Sequence, residues 1–278
     1  HRLVRHGHAA EDDALESRQR RHVTLPDILA ILSGAAVGLV LALIGGGGSI
    51  LATPALLYIV GVANPHVAIG TSALAVSVNA FANLINHARR GHVRWRNAMI
   101  FAGAGVLGAV VGAEIGKATD ARILLPLFAV LMIVIGVLML RPRKDTAADD
   151  IRFDKSKIPR LLGLGLGAGA LSGFFGIGGG FLIVPGLVAA TGMSMINAIG
   201  SSLFSVGAFG ATTAASYATD GLIDWRIAGL FIGGGLVGGV IGASFATQLS
   251  KQRGALQRVF ACVVFAVAAY MLWRSFAT

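Results

Sequence analysis

The sequence predicts an all-α polytopic membrane protein. It reads as two tandem repeats of about four transmembrane helices each, with one Gly-rich broken or re-entrant helix per repeat. Three observations carry this. The chain is 55% hydrophobic and only 13% charged, with a mean hydropathy of +0.76, whereas soluble domains carry about 25% charged residues. Its apolar stretches approach the ~20 residues that cross a bilayer core. And the second half repeats the first at an offset near 130 residues.

Residues 1–24 form a polar N-terminal extension. Glu11, Asp12, Asp13 and Glu16 stand beside Arg18, Arg20 and Arg21, so the segment lacks the apolar core of a secretory signal. Residues 25–140 form membrane repeat 1, with candidate spans at Leu25–Ile44, His66–Ile85, Ala98–Ile115 and Ile123–Leu140. A polar linker, expected to be cytoplasmic, covers 141–157. Residues 158–278 form membrane repeat 2, with spans at Ile158–Phe175, Met195–Ala215, Ile227–Ala246 and Leu256–Trp273.

The repeat is legible residue by residue. Gly91-His92-Val93-Arg94-Trp95-Arg96 matches Gly221-Leu222-Ile223-Asp224-Trp225-Arg226, and Ala68-Ile69-Gly70-Thr71-Ser72 matches Ala198-Ile199-Gly200-Ser201-Ser202, both at 130. Upstream the offset becomes 131, pairing Gly45–Ser49 with Gly176–Gly180 and Pro54 with Pro185. Many ordered matches with one-residue shifts indicate duplication.

Topology follows from charge, because cytoplasmic loops carry the Lys and Arg excess. With eight crossings and the N-terminus inside, 18 of the 23 basic residues fall on one side; with ten crossings the split is 9 against 14. The count favours eight crossings, parallel halves and both termini cytoplasmic.

Each half contains a glycine run followed by proline, at Gly45–Pro54 and Gly176–Pro185. Consecutive glycines break helices and accept positive φ. Proline fits the early turns of a new helix. Broken backbone at membrane depth must be buried in protein or line a wet cavity, and a helix starting there offers free N–H groups and a positive dipole end to an anion. Interrupted segments at matching positions of two halves point to a transport site. The expected substrate-binding residues are therefore Gly45, Gly46, Gly47, Gly48, Ser49, Gly176, Gly178, Gly179 and Gly180. Thr71, Ser72, Asn79, Ser201 and Ser202 join them as polar side chains inside the following span, each equally readable as an interhelical hydrogen bond. Glycines four apart at Gly34/Gly38, Gly108/Gly112/Gly116 and Gly238/Gly242 read instead as close helix contacts.

Other signals carry less. Gly103-x-Gly105-x-x-Gly108 sits inside an apolar span without a preceding strand, so no dinucleotide fold is expected. The histidines show no metal-ligand spacing, and no metal, cofactor or catalytic residue is expected. Glu114, close to Lys117, is an acidic residue within the spans. The net charge of +10 is explained by loop topology rather than by nucleic acid.

On these glycine–proline clusters, on Pro65-His66-Val67-Ala68-Ile69-Gly70-Thr71-Ser72, on Ala198–Ser202 and on the Gly-x-Val/Ile-x-Trp-Arg loops, the chain resembles the TauE/SafE sulfite exporter-like permeases. The resemblance spans about Leu25 to Trp273. It implies a multi-pass permease of the inner cell membrane that moves small anions such as sulfite, sulfoacetate or related sulfur compounds. Ser49 stands where the second half has Gly180, a departure between the two clusters. The expected function is thus a secondary transporter, an exporter in type, with the lipid bilayer and a small anionic substrate as partners. A passive anion channel, and further off a membrane scaffold or enzyme, are the alternatives. A homo-oligomer is left open.

Overall fold

The computed structural model describes residues 24–44, 46–140, 154–249 and 253–277. Gly45, nearly all of the N-terminal extension and most of the linker lie outside them. The described residues form helices joined by short turns. In chain order these are α1 (Leu25–Ile44), α2 (46–60), α3 (Pro65–Arg89), α4 (Trp95–Ala118) and α5 (Ala121–Leu140), then α6 (Ile158–Phe175), α7 (Gly180–Thr191), α8 (Met195–Thr219), α9 (Trp225–Leu249) and α10 (Arg253–Ala277). Seven are long and apolar enough to cross a membrane. The protein is an all-α polytopic membrane protein.

Helix starts follow local chemistry. At the start of α1, Asp27 reaches back and accepts from the Thr24 amide and hydroxyl, both at 2.8 Å, which satisfies donors ahead of the helix. Asn64 caps α3 by accepting from His66 N–H at 2.9 Å, with Pro65 at the first helical position, where its missing donor is harmless. The composite α2 tightens into a 3-10 turn over Gly46–Leu51 and loosens into a π-helical turn over Ala55–Val60. Such irregularity often marks a functional segment.

The packing between halves is crosswise. Helix α1 packs on α9, α4 on α6, α3 on α8, and α5 on α10. Glycine decides how close these helices come. A Cβ added at Gly34, Gly38, Gly234 or Gly238 would strike backbone of the partner across the α1–α9 contact. The α4–α6 contact repeats this with Gly108, Gly112 and Gly116 against Leu166, Ala170 and Phe174, and with Gly165, Gly169 and Gly173 against Phe101, Gly105 and Ala109. Backbone-to-backbone approach of this kind is how membrane helices gain dispersion contact where lipid removes the hydrophobic driving force.

These contacts also fix direction. Residue numbers rise together along α1 and α9, and along α4 and α6, so each pair is parallel. Asn79 faces Gly235 and Asn83 faces Gly239, so α3 is parallel to α9 and hence to α1. The pair α3–α8 is antiparallel: Ser77 Oγ donates to the Gly207 carbonyl at 2.7 Å while Gly210 meets Ala73. Helix α2 runs back along α1, with Gly48 against Leu41, and Ser33 and Ile59 sharing one groove.

Consequently α1 and α3 start at the same face, α2 returns the chain between them, and α1 and α6 point in opposite directions. The eight-crossing, parallel arrangement expected from the charge count is overturned. Its physical source is length: α2 covers only 46–60 and α7 has 12 residues, each short of the ~20 residues of a full span, and α2 is the segment that turns the chain back ahead of α6. A count by full-length spans passes over such a segment. The glycine turns on either side carry the chain the remaining distance. The face holding the start of α1 and the end of α10 also holds the short turn between α4 and α5. The opposite face holds the 90–94 turn and the start of α6.

One end of the α4–α8 contact is tied by charge. Lys117 pairs with Glu114 at 2.9 Å and with Asp220 at 2.7 Å, and Ser216 Oγ donates to Glu114 at 2.8 Å. At the same face Arg226 pairs with Asp27 at 2.7 Å, fastening the start of α9 to that of α1. Trp95, Trp225 and Trp273 are all exposed near helix ends, where aromatic belts form. They divide between the two faces instead of sharing one: Trp95 lies at one face, Trp225 and Trp273 at the other.

Candidate functional site

The α3–α8 contact sits at the centre of the molecule, and it brings equivalent positions together. Ser77 bonds Gly207, which lies 130 residues further on, the same spacing that relates the two sequence halves. Against this contact lies the turn that leads from α6 into α7.

Gly176, Gly178 and Gly179 in that turn have φ of 67°, 63° and 63°. L-residues avoid this region because Cβ crowds the carbonyl, so glycine is required for the turn. Space requires it as well. A Cβ on Gly178 would lie 2.9 Å from Val76 Cγ1 of α3 and 3.1 Å from Val206 Cγ1 of α8. One on Gly179 would lie 2.9 Å from Ser172 Cβ. Gly180 then opens α7, and among the described residues no side chain caps its start. Leu182 and Ile183 N–H donate to the Gly179 carbonyl, the two amides before them have no partner within the helix, and this helix start presents a positive dipole end. The first turn of α2, containing Gly46, Gly47, Gly48 and Ser49, packs against α7. The described part of the first glycine cluster is thus held against α7 and α8; Gly45 lies outside the described residues. Gly48 and Ser49 are buried.

The polar side chains divide into two groups. Ser72 belongs to the crossing. It hydrogen bonds Thr53 of α2 at 2.8 Å, and its hydroxyl lies 3.0 Å from the Ile69 carbonyl and 3.4 Å from that of Gly176. Ser202 donates to Ile199 O at 2.8 Å. Along α3, Ser72, Val76, Asn79 and Asn83 fall on one helical face by their spacing. Asn79 is fully buried, and neither amide atom has a hydrogen-bond partner among the described residues. A buried unpaired amide is expensive and so marks a place where a polar ligand would be welcome. In the second half the equivalent position is Phe209, stacked on Phe101 with ring centroids 6.4 Å apart.

Thr71 and Ser201 do other work. The Thr71 hydroxyl accepts from Asp224 N–H at 3.0 Å, and the Ser201 hydroxyl from Arg94 N–H at 2.9 Å. Both hold the turns that enter α9 and α4, away from the glycine clusters. The sequence did not single out Thr53 or Ser172. Thr53 stands directly before Pro54, and Ser172 lies four residues before the glycine turn; each is a polar residue in an apolar run, which was the available signal. Ser172 Oγ and Ser205 Oγ are fully buried and unpartnered among the described residues. No group of three or more His, Cys, Asp or Glu among them is arranged to hold a metal.

A family model described as Sulfite exporter TauE/SafE matches residues 30–271, which includes both glycine turns and the whole α3–α8 crossing. The chain belongs to the TauE/SafE family. Among curated relatives, a probable membrane transporter protein of Xylella fastidiosa is 55% identical over 252 residues, covering 90% of this chain and 97% of that protein. The probable membrane transporter protein YdhB of Bacillus subtilis is 26% identical over 229 residues, covering 81% and 92%. An archaeal relative from Methanocaldococcus jannaschii, also named a probable membrane transporter, is 31% identical over 170 residues, 58% of this chain and 61% of its own. No solved structure matches the chain. The TauE/SafE relatives are membrane transporters by name, and this chain is a multi-pass membrane protein of that kind.

Proposed function

We propose that this TauE/SafE protein is a secondary transporter that exports small anions, of the sulfite, sulfoacetate or related sulfur oxyanion and organosulfonate class. Its site would lie between the two glycine turns at the α3–α8 crossing. The observation that carries the reading is the position of Gly178 between Val76 and Val206. One turn touches equivalent residues of both halves where the halves meet, so a rocking of one half against the other alters the site.

The chemistry suits an anion. The site offers glycine N–H groups, the start of α7, the Ser72 hydroxyl and the unpaired Asn79 amide. Fixed carboxylates, which cation pathways use, are not among these groups. Of the acids inside the spans, Glu114 is held at the α4 end by Lys117 and Ser216, and Asp27 at the start of α1 by Arg226. We read the two halves as copies of one unit. The crosswise pairing of equivalent helices and their opposed directions support that reading, and inverted repeats around a midplane site are an alternating-access architecture.

The charge count, taken over the directions the packing gives, favours a cytoplasmic location for the face bearing the 90–94 turn. Arg89, Arg90, Arg94, Arg96, Lys155, Lys157, Arg160, Arg253 and Arg258 border it, against Lys117, Arg122, Arg226 and Arg274 at the other. This orientation places the start of α1 and the end of α10 at the outer face, opposite to the sequence-based expectation.

The test is initial-rate flux of labelled sulfite and sulfoacetate in proteoliposomes, with chloride and phosphate as comparators. Saturable flux of a sulfur oxyanion above that of empty vesicles is expected. Flux no greater than in empty vesicles for both compounds sinks the substrate assignment.

A further inference from the structure

Two cavities adjoin at the outer side of α2, away from the glycine turns. The first has a volume of about 780 Å³ and lies between the end of α2, the start of α5 and the end of α10. Arg122 and Arg274 line it together with Tyr58, Gly61 and Ser275, and no carboxylate is among the described residues that line it. The Arg274 guanidinium stands 5.4 Å from the centre of the Tyr58 ring. The second cavity, about 560 Å³, is a groove between α1, α2 and α10. Val37, Val40, Leu51, Val263 and Val267 line it, and Tyr58 is a wall of both cavities.

Depth in the bilayer can be read from the neighbours. Trp273 is 68% exposed and Tyr270 43%, and the two rings are 6.2 Å apart. Exposed Trp and Tyr at a helix end sit at headgroup level. The basic cavity is therefore at headgroup depth. The apolar groove leads from it along α1 and α10 toward the bilayer interior. A positive pocket at headgroup level continuous with an apolar groove has the shape and polarity of one class of molecule, an anionic amphiphile.

We propose that these two cavities form a binding site for an anionic phospholipid, with the headgroup phosphate between Arg122 and Arg274 and one acyl chain in the groove past Tyr58. Each basic side chain near an anionic headgroup contributes roughly 1 kcal/mol. Removing both should weaken binding about 30-fold. The groove supplies the remaining affinity through burial of the chain.

The test uses the full chain in detergent, titrated with phosphatidylglycerol or with phosphatidylcholine of the same acyl composition. Bound lipid is counted by native mass spectrometry, and thermal stability is read in parallel. Wild-type protein should retain phosphatidylglycerol and gain thermal stability from it, with phosphatidylcholine giving neither effect. The Arg122→Gln/Arg274→Gln pair should lose the preference. Ala266→Trp, at an exposed groove-lining position, should lose retention while both arginines remain, which guards against misfolding of the double variant. Equal retention of the two lipids by wild type, or an unchanged preference in both variants, overturns the proposal. Displacement of the lipid by millimolar glycerol phosphate also overturns it, since the pocket would then be a site for free anions.

Discussion

Gly178→Ala separates the role of the glycine turn in transport from its role in folding. Two penalties act on it. The backbone at φ 63° disfavours an L side chain by about 1–2 kcal/mol. The new methyl would meet Val76 and Val206 at 2.9 and 3.1 Å, and overpacking of this kind typically costs about 1–3 kcal/mol. The sum, about 2–5 kcal/mol, falls at the point where α3, α7 and α8 meet. Gly221→Ala is the matched control. Its φ is 70°, with nothing within 4 Å of the added carbon, so it carries only the backbone term. Gly233→Ala carries neither penalty, since its φ is helical and the space is open. Each variant is purified, its thermal unfolding recorded, and sulfite flux measured per folded molecule. The expected order of stability is Gly233→Ala at or above wild type, then Gly221→Ala, then Gly178→Ala. Flux per folded molecule should fall about tenfold or more in Gly178→Ala, because a displacement near 1 Å at a positioning site has effects of that size, and should hold in both controls. Wild-type flux per folded molecule in Gly178→Ala would refute the site, whatever its stability.

Three further outcomes follow from the packing. With Cys262→Ser as background, Arg90→Cys and Thr219→Cys should react with a membrane-impermeant thiol reagent from opposite sides of the membrane; labelling from one side only would restore the parallel arrangement. Thr71→Val and Ser201→Ala each remove an acceptor for a turn N–H, so each should lower stability by about 1 kcal/mol with flux per folded molecule unchanged; a selective loss of flux would return these hydroxyls to the site. Gly38→Val places side-chain atoms against the Gly235 backbone and should abolish folded protein in detergent, whereas Gly163→Ala, with open space around it, should leave the melting temperature within a few degrees of wild type.

How much was legible in the sequence varied by kind of feature. Helix identity and extent were, because span length and apolar composition are local properties: the candidate span Leu25–Ile44 coincides with α1, and Ile158–Phe175 with α6. The glycine runs were legible as chain breaks because several consecutive glycines have no place in a stable helix. The split between Thr71 and Ser72 was not. These neighbours differ by about 100° around α3, which sends one hydroxyl to the turn before α9 and the other to Thr53 of α2. Only the position of the surrounding helices decides which of two adjacent polar residues faces the crossing. Asn79 read as one polar residue among several until Gly235 was found beneath it and its amide left unpaired.

By itself the sequence determined that the chain is a helical membrane protein and where its helices break. Those properties are written in composition, in period and in glycine and proline, each acting within a few residues. The tertiary structure decided which way the halves face. A segment too short to cross the bilayer as a helix still returned the chain, and that one extra pass in each half opposed the direction of α6 to that of α1. The packing also decided where the two breaks meet. Close approach at Gly38 and Gly169 sets α1 against α9 and α6 against α4, and this crosswise placement brings the α7 turn onto the contact between α3 and α8. Contacts between residues some 130 positions apart fix that geometry, and no local window of the sequence contains them.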